Sequence, residues 1–114
     1  MIYLIHGENA YLQEVELQKI AKAAGTAPER IDTDALSLNA LADIARGGSL
    51  FAEKRLVVVR ELSGDATLFS KLAEWAGEVP DETTIVLLER KLDKRTKAYK
   101  AIIKAATVIP ADSL

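Results

Sequence analysis

Two apolar stretches decide the fold, RLVVVR at residues 55–60 and IVLL at residues 85–88. In both stretches the apolar residues follow one another without the polar alternation of a strand that has one face in water. Continuous apolarity is typical of strands buried on both faces, as in a parallel sheet covered by helices. These stretches therefore predict the inner strands of an α/β domain.

Further strands and helices alternate with these two stretches along the chain. Strands are predicted at residues 2–5, near Arg30–Thr33 and at residues 107–109, and helices at residues 10–24, after Ser37, around 68–76 and at 96–106. Asn9 and Ser37 are suited to cap helices, and Gly25 is suited to end one. In the last helix Ala98, Ile102 and Ala105 are expected to face the core.

The resulting order is β-α-β-α-β-α-β-α-β with short connections. Alternation of this kind predicts a parallel sheet between two layers of helices, with right-handed crossovers. The predicted fold class is therefore α/β, as a three-layer sandwich built on a parallel sheet.

The composition points to one domain with little catalytic equipment. The chain has 114 residues, 49% of them hydrophobic, no cysteine and a single histidine, His6. Disulfide frameworks and cysteine-based zinc sites are excluded, and no metal or cofactor is predicted. The N-terminus lacks the features of a signal peptide, and no apolar run approaches a membrane span, so we expect a cytoplasmic protein without membrane contact.

The first strand–helix turn is where α/β folds bind phosphate, and here it reads GENAYLQE at residues 7–14. A P-loop beginning at Gly7 would need a second glycine, a lysine and a serine or threonine where this chain has Leu12, Gln13 and Glu14. The turn therefore lies where a nucleotide-binding loop would lie, but it lacks the second glycine, the lysine and the hydroxyl residue of such a loop. We interpret Gly7 as a turn residue, and the alternative is a nucleotide-binding P-loop-like domain.

Other candidate catalytic groups are weak. Asp32 and Asp34 follow the second strand, and a further acidic pair occupies residues 81–82, but neither pair has a visible lysine or histidine partner. His6, at the end of the first strand, is a possible general base. We interpret all of these as structural or surface residues, so no catalytic residue is predicted.

The C-terminal part is basic although the net charge of the chain is −2. Residues 90–114 contain seven basic and two acidic side chains, and Lys97, Lys100 and Lys104 lie on one face of the predicted last helix. Such a face can contact phosphates, which leaves DNA binding through residues 90–104 as an alternative function. A solvated helix face is the interpretation we favour.

Ser49, Leu50 and Phe51 form an unusual turn after a glycine pair. Two adjacent bulky apolar residues in a turn fit neither helix nor strand periodicity. One of them can fold back over the sheet edge, or both can be exposed and enter the pocket of a partner protein. The residues alone leave both interpretations open.

Four segments, residues 2–12, 49–59, 80–88 and 92–100, resemble in order and spacing the N-terminal domain of the delta subunit of bacterial DNA polymerase III. This family of clamp-loader subunits has an AAA+-like fold. The resemblance implies a degenerate nucleotide site and a non-catalytic subunit that does not hydrolyse ATP. It also implies that residues 1–114 are the first domain of a longer chain, whose further domains contact the other clamp-loader subunits.

The resemblance further implies the partner and the contact residues. In this family an adjacent Leu and Phe enter an apolar pocket of the sliding clamp, beta, and help to open its ring. Those roles fall on Leu50 and Phe51, with Ser49 before them. DNA contacts of the family belong mostly to the assembly, so Lys94 and Arg95 receive no DNA-binding role, and contact with DNA is expected to be indirect or weak.

Overall fold

The computed structural model describes residues 1–47 and 54–112. In these residues the main elements are β1 (Ile2–His6), α1 (Ala10–Ala24), β2 (Pro28–Asp32), α2 (Leu38–Arg46), β3 (Arg55–Arg60), α3 (Ala66–Trp75), β4 (Thr83–Glu89), α4 (Lys97–Ala105) and β5 (Ala106–Pro110). All strand pairings are parallel, in the order β2-β3-β4-β1-β5. The predicted alternation of strands and helices is confirmed.

Helices cover both faces of the sheet, as the continuous apolar strands require. Leu17 and Ile20 of α1 pack on one face, and residues of α2, α3 and α4 pack on the other. The central strands β3 and β4 are buried along most of their length, which follows from their contact with helices on both sides. The predicted α/β sandwich is therefore confirmed, with two separate apolar cores.

The predicted helix caps form as expected. The side-chain oxygen of Asn9 accepts the backbone N–H of Leu12 at 3.0 Å, and the hydroxyl of Ser37 accepts that of Ala40 at 3.0 Å. Gly25 ends α1 in the left-handed conformation. These local bonds satisfy amides that have no partner inside a helix, so the helix starts follow from nearby sequence alone.

Two local predictions are wrong in detail. The second strand spans Pro28–Asp32, earlier than the Arg30–Thr33 expected, because it pairs with β3 from its first residue and Thr33 already begins a 3₁₀ turn. Pro28 is tolerated because it is the first residue of an edge strand. Ala105 is exposed, since α4 ends there, beyond the buried Ile102.

The carboxyl ends of the parallel strands meet at one edge of the sheet. His6, Glu89 and Arg60 are the last residues of β1, β4 and β3, and His6 is in register with Glu89. The turns that leave these strands therefore lie close together. This edge holds the β1–α1 turn and the candidate site.

Candidate functional site

The side chain of Gln13 closes the β1–α1 turn. Its amide nitrogen donates hydrogen bonds to the carbonyl oxygens of Gly7 at 3.0 Å and Glu89 at 3.1 Å, and only 4% of the residue is exposed. A P-loop lysine at this position would direct its amine toward phosphates. Here the corresponding side chain is bound to the protein's own backbone, so the turn is tied to the end of β4.

The segment that leaves β5 covers the same turn. The N–H of Ala111 donates to the carbonyl of His6 at 2.8 Å, and the N–H of Asn9 donates to the carbonyl of Ala111 at 3.0 Å. Ala111 is fully buried, and a Cβ added to Gly7 would lie 2.3 Å from its carbonyl carbon and oxygen. The space over Gly7 is therefore filled by the chain itself.

Glu14 pairs with Arg30 of β2. The guanidinium group bonds both carboxylate oxygens, and the Nη1–Oε2 distance is 3.2 Å. This hydrogen-bonded pair lowers the pKa of Glu14, so the carboxylate stays charged at neutral pH. Glu14 stands where a P-loop has its metal-binding hydroxyl. This position therefore carries a carboxylate, and that carboxylate is already paired with Arg30. The sequence offered no signal for Arg30, because the two residues belong to different elements.

Leu12, the remaining member of the degenerate loop, is half-buried and packs against the α1-side core. The missing second glycine is therefore replaced by a residue that stabilises the helix–sheet contact. The structure brings Gly7, Leu12 and Gln13 together as parts of one closed turn. Sequence analysis identified their positions but not the contacts that close the turn.

Glu89, which sequence analysis did not single out, is a fully buried carboxyl at the end of β4. The Ser63 hydroxyl donates to one carboxylate oxygen, and the Ser63 N–H donates to the other at 3.4 Å. Burial raises the pKa of Glu89 to about 7, although the bonds from Ser63 oppose this effect. The available sequence signal was a carboxylate directly after the apolar stretch at residues 85–88.

The other acidic candidates do not converge. Asp32 ends the edge strand β2 in register with Arg60, Asp34 lies in the following 3₁₀ turn, and the acidic pair at residues 81–82 is exposed before β4, at the other end of the sheet. Within residues 1–47 and 54–112, no three His, Asp or Glu side chains are grouped so that they could hold a metal ion.

A cleft of about 430 Å³ opens beside Ser63, between the start of α3 and the start of α4. Its lining includes Ser63, Phe69, Lys91, Leu92, Lys97 and Ala98. The hydroxyl of Thr96 caps α4 by accepting the N–H of Tyr99 at 3.1 Å. The cleft therefore combines an apolar wall with two lysines, of which Lys97 is the first residue of α4, at the positive end of the helix dipole.

The sequence model for the DNA polymerase III delta subunit matches residues 3–112. The chain belongs to this delta-subunit family. Comparison with curated proteins gave no match. Among solved structures, the Bacillus subtilis DNA clamp loader delta protein (YqeN) is similar, with a TM-score of 0.73 and 22% sequence identity. The alignment covers 99% of this chain and 38% of that one, so the likeness concerns the fold of one part of a longer relative.

For this delta-family chain the candidate clamp-binding residues Ser49, Leu50 and Phe51 lie outside the described residues. The flanking residues are well anchored. A Cβ on Gly47 would lie 2.6 Å from Cγ of Pro80, and the N–H of Arg55 donates to the carbonyl of Glu82 at 2.9 Å.

In the part of the chain that is described, no helix has the length and hydrophobicity needed to cross a membrane.

Proposed function

We propose that this chain is the part of a clamp-loader delta subunit that binds the DNA sliding clamp and helps to open it during DNA replication, without hydrolysing ATP itself. The match of the delta-subunit family to residues 3–112 is the observation that carries this function. The similar Bacillus subtilis structure is that of a clamp loader delta protein, which supports this function. Other clamp-loader subunits would contact regions of the longer protein.

Clamp binding is assigned to Leu50 and Phe51, with Ser49 before them. An adjacent aliphatic and aromatic side chain can fill one apolar pocket, and burial of each contributes about 1.5–3 kcal/mol. The ends of the surrounding segment support this assignment, because α2 stops against Pro80 and β3 starts from a backbone bond to Glu82. A short segment between two anchored ends loses less conformational entropy on binding than a free one does.

The absence of ATP hydrolysis is proposed from the closed β1–α1 turn. Gln13 is bound to backbone carbonyls, Glu14 is paired with Arg30, and Ala111 fills the space over Gly7. A nucleotide would have to displace all three contacts and approach a charged carboxylate. The domain would therefore act as a non-catalytic subunit that needs no nucleotide cofactor of its own.

Calorimetric titration with the sliding clamp of the same organism tests this function. We expect saturable binding whose affinity is the same with and without millimolar ATP and magnesium, because the turn has no room for the nucleotide. Clamp binding that requires ATP would contradict the proposed closed turn. Absence of binding under both conditions would contradict the clamp-binding function.

Contact with DNA phosphates is a second candidate function, supported by the cleft between α3 and α4. Lys91 and Lys97 line this cleft and are exposed, and neither makes a salt bridge within residues 1–47 and 54–112. Arg95, in contrast, is paired with Asp93 at 3.0 Å. Unpaired lysines beside a helix N-terminus are suited to bind a phosphate group.

The double variant Lys91→Ala/Lys97→Ala is expected to bind primed DNA more weakly than the wild type. The slope of log K against log salt concentration should fall by roughly one for each phosphate contact removed. Fluorescence anisotropy at several salt concentrations measures both effects. The variant Lys19→Ala/Lys22→Ala on α1 removes the same charge elsewhere, and equal salt slopes for the two variants would contradict a role for the cleft.

A further inference from the structure

Glu89 is hydrogen-bonded to two turns at the carboxyl edge of the sheet. Its carbonyl oxygen accepts the N–H of Gly7 at 3.0 Å and the amide of Gln13 at 3.1 Å, which ties it to the β1–α1 turn. Its carboxyl group accepts the hydroxyl and the N–H of Ser63, in the 3₁₀ turn Leu62–Gly64. We call this 3₁₀ turn the Ser63 turn. No step of the proposed clamp binding uses Glu89.

The Ser63 turn begins from a strained residue. Glu61 has a φ of 55°, a left-handed conformation that a side chain with a Cβ adopts at some cost. Its N–H donates to the carbonyl of Leu88 at 2.8 Å, and its carboxylate accepts the N–H of Arg90 at 3.1 Å. The strained start and the Ser63–Glu89 bonds therefore belong to one small structural unit, held against the end of β4.

The charges around Glu89 do not offset its burial. Glu61, from the β3–α3 connection, is a like charge that disfavours a second negative charge. His6 of β1 is in register with Glu89, and the lysines of the adjacent cleft, Lys91 and Lys97, are exposed at its rim. Asp93 lines the same cleft and is paired with Arg95. Among the described residues, the donors to this carboxyl group are the hydroxyl and N–H of Ser63 and the backbone N–H of Leu62, all in the Ser63 turn.

We propose that Glu89 and Ser63 form a proton-dependent latch, in which the neutral carboxyl keeps the Ser63 turn closed and ionisation favours its opening toward the cleft. Opening would bring the carboxylate to water and release the strain at Glu61. Ser63 and Glu61 also line the cleft, so the latch would change the shape of that cleft. This inference is independent of clamp binding and is tested on the chain alone.

The sign of the effect follows from the direction of the shift. The pKa of Glu89 is raised to about 7 in the closed state, whereas an open, hydrated carboxyl would have the ordinary value near 4.5. The closed state therefore binds the proton more tightly between these two pH values. Its advantage is complete below pH 4.5, declines as the pH rises toward 7, and changes no further above pH 7.

Amide hydrogen exchange at Gly64 and Asp65 measures the latch, since their N–H groups donate to carbonyls of Glu61 and Leu62 within the turn, each at 3.0 Å. The wild type is to be compared with Glu89→Gln at each pH, because the ratio of their exchange rates does not contain the intrinsic pH dependence of amide exchange. The ratio of wild-type to variant exchange should rise by up to about tenfold per pH unit between pH 5 and 7 and then level off.

Two further measurements complete the test. Glu82→Gln, at the opposite end of the sheet, should leave the pH dependence of the wild type unchanged. Ser63→Ala should raise the midpoint of the Glu89 carboxyl carbon in an NMR titration, because it removes a donor to the ionised form. This titration uses no Glu89 variant, so it tests the latch even if Glu89→Gln does not fold.

Two results would overturn the latch. One is a Glu89 carboxyl that titrates near 4.5 in the wild type. The other is exchange at Gly64 and Asp65 that depends on pH in the same way in the wild type and in Glu89→Gln. Failure of the clamp titration would leave both measurements unaffected, so the latch and the proposed function can fail separately.

Discussion

Replacing Leu50 and Phe51 together with alanine is expected to weaken binding to the sliding clamp by about 100-fold or more. The two side chains would leave water on binding, and each contributes about 1.5–3 kcal/mol, whereas a tenfold change in affinity corresponds to about 1.4 kcal/mol. Calorimetric titration of the wild type and the double variant measures the difference. Most of the loss should appear as faster dissociation, because the substitutions change no charge.

The matched control is the double variant Tyr11→Ala/Val108→Ala. It also removes one aromatic and one aliphatic side chain, and these residues are 75% and 45% exposed on α1 and β5. Its clamp affinity should equal that of the wild type. Equal affinity of the Leu50/Phe51 variant and the wild type would show that the clamp is bound elsewhere. A comparable loss in both variants would indicate a nonspecific apolar contact.

The single change Gly7→Ala is expected to lower the free energy of unfolding by about 1–3 kcal/mol or more, the range typical of overpacking. The added Cβ would lie 2.3 Å from the carbonyl carbon and oxygen of Ala111 and 2.8 Å from the N–H nitrogen of Asp112. These are backbone atoms, so a side-chain rotation cannot relieve the contact. Urea unfolding followed by circular dichroism measures the loss.

Gly77→Ala is the control for this change. A Cβ at Gly77 would meet no atom within 4 Å, so its effect should be within about 0.5 kcal/mol. If Gly7→Ala were as stable as the wild type, the segment after β5 would not be packed on the β1–α1 turn. The structural basis for a turn closed to nucleotides would then be lost.

Local signals explain why most of the fold was predictable. The apolar stretches of β3 and β4 indicated buried parallel strands, and the caps at Asn9 and Ser37 bind amides only three residues away. The second strand was placed two residues late, because an edge strand of mixed polarity has no clear periodicity and its limits depend on pairing with β3. Strand limits of this kind are decided by the partner strand.

The candidate site was only partly predictable. Leu12, Gln13 and Glu14 were recognised as departures from a P-loop, because a motif is defined by residues close together in the chain. Their contacts were not foreseen, since Gln13 bonds to Glu89, 76 residues away, and Glu14 pairs with Arg30, 16 residues away. Leu50 and Phe51 stand out in the sequence as an adjacent apolar pair in a turn, and their proposed clamp-binding role comes from the resemblance.

By itself, the sequence determined that this is an α/β domain of alternating strands and helices, without a P-loop's lysine and hydroxyl. Apolar periodicity, helix caps and motif residues act over a few neighbouring positions, so they can be interpreted along the chain. Only the tertiary structure decided that Gln13 and Ala111 close the turn and that Glu89 is buried beside Ser63. Burial and pairing depend on which distant segments meet at the carboxyl edge of the sheet, and that requires the folded chain.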